Sequence, residues 1–145
     1  MTAEILVRYA HFLAIFIMFS LVTTQHMLLK GQVQARAMKK IAILDAAYGA
    51  SALAVLLAGL SLWFWVGKPA GFYSHNWVFH TKITLFVLVA LVSFVPTRFI
   101  LKNRNTSVDI TVPKSIVMCI RVEMLLLCII PLLAVLMASG VGYVR

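Results

Sequence analysis

Apolar residues run along this chain in four long stretches, at about 3–29, 41–66, 77–100 and 115–138, separated by short polar segments. A helix needs roughly 20 apolar residues to cross the hydrocarbon core of a bilayer, and each run meets that length. The pattern predicts an all-α fold, a four-helix transmembrane bundle that forms a single membrane domain over 1–145. The first run does not read as a cleavable signal peptide. Glu4 precedes the first basic residue, the apolar stretch is too long, and no small-residue cleavage site follows. Pro131 predicts a kink in the fourth helix. Ala46, Ala50, Ala54 and Ala58 recur every four residues on the second helix, a ridge expected to let a neighbouring helix of the bundle approach closely.

The polar segments orient the bundle. Lys30, Arg36, Lys39 and Lys40 crowd a segment at 30–40 that reads as a basic loop or a short interfacial helix, and Arg98, Lys102, Arg104 and Lys114 surround the segment between the third and fourth runs. The intervening connection carries Lys68 and a belt of aromatic residues, Trp63, Phe64, Trp65, Phe72, Tyr73 and Trp77. By the positive-inside rule both basic segments are cytoplasmic and both termini lie outside, in a bacterial inner membrane. His11, His75, His80 and Lys82 then fall toward the outer leaflet. His26, Asp45, Arg121 and Glu123 fall toward the inner one.

Composition agrees with the pattern, since 63% of residues are hydrophobic and only 12% charged, against about 25% charged in soluble domains. The net charge of +9 sits in the loops, so nucleic acid is not an expected partner. Cys119 and Cys128 share one helix, about 180° and roughly 13 Å apart, too far to form a disulfide with each other.

Ionisable residues inside the apolar runs are the candidates for chemistry, because each is costly in lipid without a task or a partner. Glu4, Arg8 and His11 lie at i, i+4 and i+7 and share one helix face. His80 and Lys82 open the third helix at a similar depth, with His75 in the loop before them. Two histidines on different helices, His11 and His80, form the ligand pair that a haem iron takes in a bundle. A lysine in lipid serves either as a neutral amine ligand or as a cation for a haem propionate. His80 and Lys82 diverge by about 200° on an ideal helix, so one faces an iron and the other does not. Arg8, one turn before His11, suits a propionate. At the opposite level, Asp45 and Arg121 are expected to form a bridge and Glu123 to contact His26, a structural polar cluster fixing the bundle. A proton path or quinone head-group pocket is the functional alternative there.

Two segments carry a likeness. Tyr9-Ala10-His11-Phe12-Leu13 and Trp77-Val78-Phe79-His80-Thr81-Lys82-Ile83 resemble the first-helix histidine segment and third-helix Trp/His-x-Lys segment of HemJ-type protoporphyrinogen oxidases. More broadly, the chain resembles small bacterial four-helix membrane proteins of uncharacterised function. The HemJ resemblance implies haem b held by His11 and Lys82, with His80 adjacent. Lys82, with Arg8 beside the proposed ligand, is the expected catalytic group. The resemblance implies an oxidoreductase that passes electrons from a porphyrinogen toward quinone. The chain departs from that pattern in having Leu91, Val92 and Ser93 where a further third-helix histidine is common, and Arg121-Val122-Glu123 at the fourth-helix motif. The alternatives are a b-type electron-transfer protein acting on quinone or another acceptor, and a cofactor-free carrier or assembly factor. The expected partners are the bilayer and a quinone or porphyrinogen, with a homo-oligomer left open.

Overall fold

A computed structural model describes residues 1–144. Four helices are long and apolar enough to cross a membrane: α1 (Thr2–Leu28), α2 (Ala35–Ser61), α4 (Trp77–Asn103) and α5 (Lys114–Ala138). The last turns of the second span, Leu62–Val66, widen into a π-helix. A short helix, α3 (Ala70–Ser74), and two strands, β1 (Gln32–Val33) and β2 (Ile110–Thr111), complete the element order. The all-α four-helix membrane bundle is thus the fold. A helix of 27 residues is about 40 Å long, so its ends emerge into the interfacial zones.

The second helix begins at Ala35, not near residue 41, so the latter half of the basic segment is helical and continuous with the span. The reason lies far along the chain. Gln32 and Val33 pair antiparallel with Thr111 and Ile110, and the Asp109 carboxylate accepts from the Ala35 backbone N–H at 3.3 Å. A carboxylate there answers an otherwise orphan first-turn donor. Gly31 makes the turn into β1 with φ 62°, in the left-handed region. The two basic segments are therefore one layer at one end of the bundle.

The aromatic segment closes the other end. Asn76, fully buried, caps α4 by accepting from the Val78 and Phe79 backbone N–H groups, and its amide donates to the Val141 carbonyl. Residues 142–144 return to this segment through Trp77 N–H to the Gly142 carbonyl and Val144 N–H to the His75 carbonyl. Gly142 has φ 85°, and a side chain there would run into Val78.

In the bundle α1 packs mainly on α2 and α4 mainly on α5, and the two pairs meet through α1 with α5 and, more sparsely, α2 with α4. The core includes Met18 and Val22 of α1, Ile41, Tyr48 and Val55 of α2, Val89 and Ile100 of α4 and Ile116 and Ile120 of α5. The buried row of α2 corrects the expectation for its alanines. Ile41, Asp45, Tyr48 and Val55 face inward, while Ala46, Ala50 and Ala54 are exposed. The close approach is made instead by Gly59, one row round the helix.

Candidate functional site

Two groups of polar residues lie within the spans, one toward each end. At the aromatic end the His11 ring lies against Gly59 of α2, so that a Cβ at Gly59 would stand 3.3 Å from His11 Cε1. Glycine leaves this space for the imidazole. His11 Nδ1 is buried with no hydrogen-bond partner, and the Val55 carbonyl and Lys82 lie within its electrostatic reach. Lys82 enters from α4, with Nζ 5.4 Å from the Phe79 ring centroid. Among the described residues it makes no ion pair, because the sole salt bridge joins Arg8 to Glu4 at 2.6 Å. Phe79 packs in turn on Trp63 and Tyr73.

His80, two residues before Lys82, turns outward. It is exposed, and its Nε2 donates to the Ser74 carbonyl at 2.8 Å. His75 Nδ1 similarly donates to the Gly71 carbonyl at 2.9 Å. The Ser74 carbonyl, the last of α3, is answered by the His80 ring, while the Gly71 carbonyl accepts from both the backbone N–H and the ring of His75. The third-helix group that shares the bundle interior with His11 is therefore Lys82, as the divergence of the two side chains requires.

Toward the basic end, the expected pairing is not formed. Asp45 Oδ1 accepts from Gln25 Nε2 and from Thr97 Oγ1, each at 3.0 Å, which joins α1, α2 and α4. Arg121 is exposed, its nearest polar contact being Met118 Sδ at 3.9 Å. The Asp45 to Arg121 bridge is replaced because Asp45 faces the seam of the bundle, whereas Arg121 points outward from α5. Nor does Glu123 contact His26 as a partner: Glu123 Oε1 and His26 Nδ1 are each buried and unpaired. Glu123, 1% exposed, instead faces Tyr48 and lies in the field of Asp45. The Tyr48 hydroxyl is close to Glu123, yet also lacks a partner in hydrogen-bonding geometry. His26 feels Arg121 and Lys30.

A cleft of about 400 Å³ opens between α2 and α4 beside this cluster. Asp45, Tyr48 and Thr97 line it among apolar residues that include Phe86, Val89 and Phe94. Gln25, Tyr48, Thr97 and Gly59 are the site residues that sequence reading did not assign. Gln25 lies in the polar stretch Thr23-Thr24-Gln25-His26 near the end of α1, and Tyr48 has a spacing signal, one turn after Asp45 on the same face.

These features define a polytopic membrane bundle with polar groups held inside its spans. The chain belongs to the DUF2214 family of predicted membrane proteins, whose model matches residues 3–142. No curated protein and no solved structure matches it.

Proposed function

We propose that the chain is a haem b-binding oxidoreductase of the bacterial inner membrane, with both termini outside. What carries the reading is that His11 and Lys82 lie within electrostatic reach of each other at one level of the bundle, where the imidazole has a buried Nδ1 without a hydrogen-bond partner and the amine has no carboxylate. Those donors fit haem b: an imidazole nitrogen is an iron ligand, and a lysine in lipid serves as a second ligand or as a cation for a propionate. The HemJ-like segments around His11 and Lys82 support the same assignment. When bound, haem b supplies a reversible one-electron couple.

The remaining work falls to the chain. Gly59 keeps the His11 ring in place by leaving room for it. Arg8, set by Glu4, offers further guanidinium N–H groups to a carboxylate. Phe79, packed on Trp63 and Tyr73, sets an aromatic surface beside Lys82. His80, engaged by Ser74, stands as a neighbour and not as the ligand. The donor of electrons is a porphyrinogen or quinol and the acceptor lies toward the quinone pool. A cofactor-free carrier is the second reading, favoured by the open cleft between α2 and α4.

A reduced-minus-oxidised spectrum of the purified protein tests the proposal. The expected result is a b-type spectrum that His11→Ala removes and His75→Ala leaves unchanged. Colourless protein after haem-sufficient expression, or full haem in His11→Ala, overturns it.

A further inference from the structure

The cleft between α2 and α4 has a chemistry of its own. Its rim residues Ala46, Gly49, Ala90 and Phe94 are exposed on the lipid-facing side of the bundle, and its walls are apolar. Its polar depth is biased toward acceptors. Thr97 Oγ1 is already donating to Asp45 Oδ1 and Ser93 Oγ to the Ala90 carbonyl. Asp45 Oδ1 is taken by Gln25 and Thr97, which leaves its second oxygen for an occupant. Tyr48, 4% exposed and lining the cleft, has an unpaired hydroxyl, and Glu123 stands behind it with Oε1 unpaired. Among the described residues no cation pairs with either carboxylate.

Two buried carboxylates without a cation are expensive in a membrane interior, and a charged hydrogen-bond donor relieves that cost. A quinone head offers acceptors only and finds few free donors here. A protonated amine offers a charge, N–H donors and an apolar body suited to the walls, with the Phe86 and Phe94 rings available to the cation. We propose that the α2–α4 cleft binds a membrane-dissolved aliphatic or aromatic amine as its ammonium form, its body between the helices and its N–H groups on Asp45. Glu123 adds negative field from behind Tyr48. The proposal rests on this cleft and does not depend on haem.

The test is titration calorimetry on the full chain in lipid nanodiscs, with empty nanodiscs subtracted, using octylamine, octanol and octanoate as probes. Saturable octylamine binding is expected, with octanol at least about tenfold weaker and octanoate not detectable. Asp45→Asn, whose amide oxygen can still accept from Gln25 and Thr97, should weaken octylamine at least about tenfold. Gly49→Leu puts a bulky apolar side chain into the cleft lining while keeping both carboxylates, and a Cβ at Gly49 meets nothing within 4 Å, so it should also weaken octylamine at least about tenfold. If Asp45→Asn does not fold, Gly49→Leu decides. Equal affinity for amine and alcohol, binding of octanoate, normal octylamine binding in Gly49→Leu or in folded Asp45→Asn, or no saturable octylamine binding overturns the proposal.

Discussion

Asp45 and Arg121 show what decides the fate of a charge in this bundle. Both lie well within long apolar helices, but Asp45 is 7% exposed and accepts from two helices, whereas Arg121 is exposed. A long guanidinium side chain can reach along its helix toward water, and a short carboxylate cannot. Asp45→Ala should therefore leave the Gln25 amide and Thr97 hydroxyl unsatisfied and lower stability by about 1–3 kcal/mol. Arg121→Ala should stay within about 0.5 kcal/mol of the parent. Thermal unfolding in detergent, followed by helical circular dichroism, compares the two. Equal losses would restore the bridge that the sequence suggests.

Among the elements, α4 depends most on a single residue at its start. Asn76 satisfies two first-turn N–H groups and ties the helix to the carbonyl of Val141, in the segment after α5. Asn76→Ala should cost about 1–2 kcal/mol. Asn76→Asp, which keeps the acceptor but loses the amide donor to Val141, should cost less. The measurement is again thermal unfolding, and an alanine variant as stable as the parent would mean that the cap contributes nothing. The cap lies about one turn before His80 and Lys82, so an alanine variant with a loosened start of α4 should also lose part of any haem bound by the parent.

For the whole molecule, the distribution of positive charge makes the prediction. β1 and β2 pair the two basic segments into one layer, and the aromatic residues with Lys68 close the opposite end. That polarity predicts both termini on the outer side of the membrane. A reporter active only in the cytoplasm should be silent when fused to the C-terminus, and one active only outside should report. The reverse pattern would put the His11 and Lys82 level at the inner face.

The sequence by itself determined the number of spans, their approximate limits, the polarity of the ends and the shortlist of polar residues, because each follows from local hydropathy and charge. Helical spacing also required that His80 and Lys82 part company. Tertiary structure decided which of the two turns inward, since that depends on how α4 is packed against α5 and α2. It also decided that α2 starts at Ala35, because the acceptor for that start is Asp109, brought across by strand pairing. It moved the close helix contact from the alanine ridge to Gly59 and gave Asp45 to Gln25 and Thr97. These are choices among faces of regular helices, and a repeating pattern offers several equivalent faces until the neighbouring helices occupy one of them.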